Sequence, residues 1–223
     1  MSTVRMLALA SVVAAAAASP AGAQLAGKFV VTPYVGAYMP STDLAHFTGV
    51  ADGFAAKQNS AAAFGANASY WVNDRMAIEG GLLYSGSHLK HPFFGETGAP
   101  TLVTEHANLW LGSAKLMVQV LPAESDFNLR FGVGPALISR SGSAYNDAEG
   151  KVTGLTDLGA AMSLCSRMGL TSNTALRLRV EDYLYRAKLG FESSLNPSDN
   201  LSLGARTQND FVVSLGLQIF LKP

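Results

Sequence analysis

The chain has 223 residues, 48% of them hydrophobic and only 14% charged, with a formal net charge of zero. Ordinary soluble domains carry about 25% charged residues, so charge is short by nearly half. The apolar content excludes a disordered chain, and 16 basic residues balanced by 16 acidic ones argue against a nucleic-acid binder working through a basic patch.

The N-terminus sets the compartment. Arg5 precedes an apolar run over residues 6–18, and Ala21-Gly22-Ala23 supplies an A-x-A site before Gln24. A basic start, a short apolar core and small residues at the cleavage site make a secretory signal peptide over residues 1–23. The run falls short of the roughly 20 residues of a membrane-spanning helix. Residues 24–223 then form one mature domain, with 15 basic and 16 acidic residues once Arg5 is removed. The residue directly after the cleavage site is Gln24 and not cysteine, which disfavours a lipoprotein. The single cysteine, Cys165, cannot close an intramolecular disulfide.

The mature chain has no run of 18 apolar residues, so no helix is expected to cross a membrane. Period-2 alternation recurs instead, and it collects apolar side chains on one face of a strand. Val31, Pro33, Val35 and Ala37 oppose Thr32, Tyr34, Gly36 and Tyr38, with Pro33 the least strand-like residue of the set. Phe64, Ala66, Ala68 and Tyr70 oppose Gly65, Asn67, Ser69 and Trp71. Ile78, Gly80, Leu82 and Tyr84 oppose Glu79, Gly81, Leu83 and Ser85. Trp110, Ala114, Leu116 and Val118 oppose Leu111, Ser113, Lys115, Met117 and Gln119. Phe127, Leu129, Phe131, Val133, Pro135 and Leu137 oppose Asn128, Arg130, Gly132, Gly134 and Ala136. Leu158, Ala160, Met162, Leu164 and Met168 oppose Gly159, Ala161, Ser163, Cys165 and Arg167. Leu176, Leu178 and Val180 oppose Arg177, Arg179 and Glu181. The clearest case is the last, with Phe211, Val213, Leu215, Leu217, Ile219 and Leu221 opposite Val212, Ser214, Gly216, Gln218 and Phe220.

Eight strands result. Their connections alternate between short ones, at 73–74, 121–126 and 171–174, and long polar ones, at 40–58, 87–103, 141–153 and 188–206. Strands of about 10–14 residues with short turns at one end and long loops at the other describe a transmembrane β-barrel. Sheet edges are not tolerated in lipid, so the expected fold is all-β, a closed up-and-down antiparallel barrel of eight strands. A soluble barrel or sandwich shows the same alternation, with the apolar face inside. The polar face decides between them. It is rich in Gly, Ser, Asn and Thr with isolated charges, as suits a narrow eight-strand interior, whereas a solvated sheet face would be dense in charge. Aromatic residues near strand ends, among them Phe29, Phe64, Tyr70, Trp71, Tyr84, Trp110, Phe127, Tyr183, Tyr185 and Phe211, suit interfacial girdles, although aromatics favour any strand.

On these patterns, and most visibly on residues 209–221 (NDFVVSLGLQIFL), the mature chain resembles the small eight-stranded outer-membrane β-barrel family, the outer membrane protein A and X type. The resemblance implies a Gram-negative outer membrane, a porin-like monomer in outer-membrane lipid, and biogenesis through periplasmic chaperones and the barrel assembly machinery. It also implies that an aromatic residue ending the last strand acts as an assembly signal. Phe220 occupies that place, although Leu221, Lys222 and Pro223 follow it. It does not imply one activity, because the family spans structural proteins, adhesins, narrow channels and lipid-modifying enzymes.

The candidate chemistry is sparse. His46, His88, His91 and His106 fall in or beside expected loops, without the convergent spacing a zinc site needs. A lipid-modifying enzyme would have to use His106 with Glu105 and Ser85 or Ser87, a grouping without a recognised motif. No cofactor or catalytic constellation is expected. The mid-strand charges say more. Interior charges must pair, and Glu79 and Glu181 are the acids available to Lys115, Arg130, Arg177 and Arg179. These six residues are expected to form a lumen ion-pair network that plugs the barrel. The competing reading is a weakly anion-selective pore. The expected function is thus a non-enzymatic outer-membrane barrel with a structural or surface-interaction role carried by four long extracellular loops. The alternatives are a lipid-modifying enzyme, a narrow solute channel, and a secreted soluble ligand-binding barrel, which would require an apolar cavity.

Overall fold

The computed structural model of the chain describes residues 25–46, 55–94, 100–121, 128–145, 150–193 and 201–221. The expected signal peptide at 1–23, Phe127, Lys222 and Pro223 lie outside the described residues, as do the side chains of His46 and His91. Eight long strands form the wall: β1 (Phe29–Pro40), β4 (Ala61–Trp71), β5 (Met76–Phe94), β6 (Pro100–Gln119), β7 (Asn128–Ser141), β9 (Thr156–Gly169), β10 (Thr174–Ser193) and β11 (Leu201–Leu221). Each pairs antiparallel with its neighbours in that order, and β11 pairs back onto β1, so the sheet closes. Three short strands extend the wall above: β2 (Ala45–His46), β3 (Ala55–Gln58) on β5, and β8 (Gly150–Thr153) on β10.

Alternation places the side chains as the sequence pattern expects. Val35, Phe64, Ile78, Leu82, Leu158 and Leu215 point outward and are exposed, Leu158 by 79%. A soluble protein does not leave a continuous apolar band on its outer face. This band is the lipid-facing belt of a transmembrane barrel. Phe64, Tyr84 and Trp110 stack side by side on it, with ring centroids 5.2 and 4.8 Å apart. Trp71, Tyr183 and Tyr185 do not join a girdle; they point inward and are buried.

Pro33 stays in β1. Its ladder with β4 is unbroken, while that with β11 lapses between Val31 and Tyr34 and resumes in the same register. Pro135 in β7 behaves in the same way, keeping its ladder with β9 while that with β6 lapses between Ala136 and Val133. Without an amide hydrogen, proline can still be carried where a ladder bond is given up on one side.

At the lower end of the barrel, tight turns join strands. Asn73 Oδ1 accepts hydrogen bonds from the amides of Arg75 and Met76 at 2.9 and 2.8 Å, an Asx-type turn. Asp74 Oδ1 accepts from the amides of Leu25 and Ala26 at 2.8 and 3.0 Å, tying the segment before β1 to this turn.

At the upper end, two of the expected long loops, 87–103 and 188–206, are largely ladder. β5 and β6 stay paired from Met76↔Val118 to Phe94↔Pro100, and β10 and β11 stay paired up to Phe191↔Leu201. The reason is physical. Above the lipid belt neither face is required to be apolar, so alternation fades from the sequence while backbone pairing continues.

Inward side chains pack into two clusters in the lumen. A lower cluster contains Leu25, Val30, Trp71, Ala77, Met117 and Cys165, with Phe220 against it. An upper cluster contains Leu83, Leu109, Leu111, Ile138, Tyr38 and Tyr183, capped by Tyr145 of a single 3-10 turn, Ser143–Tyr145. The inward side chains are therefore not polar and charged alone, as the sequence suggests; apolar clusters lie among them. The inward leucines fall in runs such as Leu82-Leu83 and Leu109-Trp110-Leu111, where both faces are apolar and alternation cannot separate them.

Candidate functional site

Between the two apolar clusters lies a charged layer. Glu79 comes from β5, Lys115 from β6, and Arg177, Arg179 and Glu181 from alternate inward positions of β10. All five are buried. Arg177 Nη1 donates to Glu79 Oε2 at 2.5 Å, and its Nη2 lies 3.3 Å from Oε1. Arg179 Nη1 lies 3.4 Å from Glu79 Oε1, and its Nη2 lies 3.0 Å from Glu181 Oε2. Lys115 Nζ pairs closely with Glu181 and lies 3.6 Å from Glu79. Ser69 Oγ donates to Glu79 Oε2 at 2.8 Å.

The geometry of the ring carries this layer across the lumen. β5 and β10 stand four strands apart whichever way the eight-strand ring is followed. The Glu79–Arg177 pair therefore spans the barrel from wall to wall. Burying such charges costs desolvation energy, which their mutual attraction and further hydrogen bonds, such as that from Ser69, offset.

None of the ion pairs among the described residues includes Arg130; its guanidinium lies 4.4 Å over the Trp71 ring. Phe220 points inward beside the lower cluster, with the Arg167 guanidinium 5.7 Å from its ring. A second charged group went unread in the sequence. Near the upper end, Arg140 Nη1 donates to Asp157 Oδ2 at 2.7 Å, and Tyr185 Oη donates to Asp210 Oδ2 at 2.7 Å. Continuing the alternation of β7 past Ala136 to Ile138 and Arg140, and that of β9 back from Gly159 to Asp157, would have found the first pair.

The candidate enzyme grouping is split by the sheet. Ser85 and Ser87 point into the barrel, donating to the carbonyls of Ala62 at 3.0 Å and Asn59 at 2.5 Å. His88 and His106 point outward, ring against ring at 4.6 Å. Residues one apart on a strand face opposite ways, so neither serine meets His106. Among the described residues no three His, Cys, Asp or Glu side chains gather as a metal site.

A closed ring of eight antiparallel strands with an apolar outer belt and inward-facing charges defines an eight-stranded transmembrane β-barrel of the outer-membrane type. No protein-family model and no curated protein matches the chain. Among solved structures, it is similar to the crystal structure of the outer membrane protein OprG from Pseudomonas aeruginosa, with a TM-score of 0.64 and 15% identity over 92% of this chain and 100% of that one. It is also similar to the outer membrane protein AlkL, solved by solid-state NMR in DMPC lipid bilayers, with a TM-score of 0.61 and 15% identity over 92% of this chain and 95% of that one. Both likenesses are of fold.

Proposed function

We propose that this protein is a non-enzymatic, monomeric integral barrel of the bacterial outer membrane, with a plugged lumen and a structural or surface-interaction role carried by its upper connections. One observation carries the reading. The Glu79–Arg177 pair bridges opposite walls, and Lys115, Arg179 and Glu181 brace it from both sides. An eight-strand interior is just wide enough for side chains to fill, and here a charged layer and an apolar one fill it in series. The separation of Ser85 and Ser87 from His106 supports the non-enzymatic part. Phe220 is the proposed assembly signal for the barrel machinery, acting before the barrel closes over its ring. The test is planar-bilayer recording of the purified, folded protein. The expected result is no large, stable conductance; step-like open channels would overturn the plugged lumen.

A channel reading has one observation in its favour, the surplus of buried cations over carboxylates in the lower lumen. Any path through it would then pass anions over cations, and the reversal potential in a salt gradient would report this.

A further inference from the structure

The surplus of positive charge has a location. In the charged layer and below it, the inward-facing charges among the described residues are Lys115, Arg130, Arg167, Arg177 and Arg179 against Glu79 and Glu181. Both carboxylates are engaged by Lys115, Arg177 and Arg179. Among the described residues, Arg130 and Arg167 have no ion pair.

Register makes the crowding worse. Arg167 lies directly opposite Arg177 on β10, and Arg130 lies opposite Cys165, two residues from Arg167 on β9. Guanidiniums on three adjacent strands thus face one region of the lumen. Like charges directly opposite one another destabilise a sheet. The rings of Trp71 and Phe220 lie against Arg130 and Arg167 and attract them through cation–π contact. A ring face does not satisfy in-plane N–H donors, however. Arg130 is 2% exposed, and its Nε and Nη2 have no hydrogen-bond partner. Nε of Arg167 is likewise unpartnered.

The two free nitrogens of Arg130 form one edge of the guanidinium, with N–H bonds that run parallel. That edge matches two oxygens of a carboxylate or phosphate. A guanidinium cannot shed its proton, so its burial calls for a counter-charge. We propose that the lower lumen holds an oxyanion site, in which the Nε/Nη2 edge of Arg130 grips a phosphate or carboxylate group and Arg167 lies beside it, toward the lower mouth. The site does not depend on conduction, so it stands or falls separately from the plugged-barrel reading.

Trp71 lies against Arg130 and gives a direct readout. The folded full chain in detergent micelles is titrated with inorganic phosphate and, separately, with acetate, at ionic strength held constant with sodium chloride. Tryptophan fluorescence and calorimetry follow binding. The expected result is a saturable response to at least one anion, which also tells phosphate from carboxylate. Arg130→Lys keeps the charge without the fork and should weaken binding by about tenfold or more; Arg130→Gln should abolish it. No saturable response to either anion overturns the proposal, as does an Arg130→Gln protein that titrates like the native one. Should Arg130→Gln fail to fold, Arg167→Gln at the more open position carries the test, and unchanged affinity there overturns the proposal as well.

Discussion

At the scale of single residues, the lumen and the belt impose opposite demands on charge. Glu79 accepts from Ser69 and Arg177 and lies near Arg179 and Lys115. Removing its charge leaves several buried cations uncompensated, and breaking a buried pair from one side is destabilising by about 3–5 kcal/mol. Glu79→Gln should lower the urea midpoint of the folded barrel accordingly, more than any other single neutralisation in the layer. A midpoint shift below that of Glu181→Gln would contradict this ranking. Asp182 is the opposite case. It lies between Val180 and Leu184 on the lipid-facing side of β10, half-buried, with a hydrogen bond from the Asn209 side chain. Charge on this face is unfavourable, less so for acids than for bases. Asp182→Leu should raise barrel stability by about 1 kcal/mol in lipid vesicles; a loss would show that the hydrogen bond with Asn209 outweighs the cost of charge on this face. Of these residues, Glu79, Lys115, Arg177, Arg179 and Glu181 were legible as inward charges because period 2 fixes facing. Which of them meet across the barrel was not legible, since that depends on strand order and stagger. Arg130 shows the limit: its facing was readable, but the side chain it packs against, Trp71 of β4, was not.

At the scale of elements, the strands were readable where lipid enforces alternation and unreadable above it. Outward Ile78, Leu82 and Tyr84 mark β5 inside the belt, while His88, Leu89 and Lys90 continue the same ladder with no such signature. The 3-10 turn Ser143–Tyr145 is a similar case, a polar stretch whose one anchoring side chain is Tyr145. Its ring packs into the upper cluster and its hydroxyl is buried without a hydrogen-bond partner. Burial pushes that hydroxyl up to about 12, with Arg140 opposing and Asp210 adding to the shift. The neutral phenol is therefore the form the fold holds. Its stability contribution is complete below the ordinary tyrosine range near pH 10 and is lost as pH rises toward 12. Tyr145→Phe removes a buried unsatisfied group while keeping the ring. Stability at neutral pH should be unchanged or higher by about 1 kcal/mol, with less alkaline loss between pH 10 and 12 in a gel-shift melting series. A clear loss at neutral pH would mean that the hydroxyl has a partner.

At the scale of the whole molecule, the low charge of the chain and its high apolar content become one fact about which side of the wall meets lipid. The belt is apolar because it faces hydrocarbon, and many of the remaining charges are withdrawn into the lumen. On the proposed plugged lumen, the Glu79–Arg177 layer forms one barrier, and Leu83, Leu109, Leu111, Ile138 and Tyr183 form another above it. Barriers in series open only when both are breached. Glu79→Ala alone should leave the apolar layer dry and the barrel silent in a planar bilayer. Tyr183→Ala alone should leave the ion pairs across the lumen and be equally silent. Combined in one protein that still shows the folded band on an unheated gel, the two should give conductance well above either single variant, with anions favoured because Arg130, Arg167, Arg177 and Arg179 line what remains. Conductance in either single variant would reduce the plug to one layer, and silence in the folded double variant would place a further barrier elsewhere along the lumen.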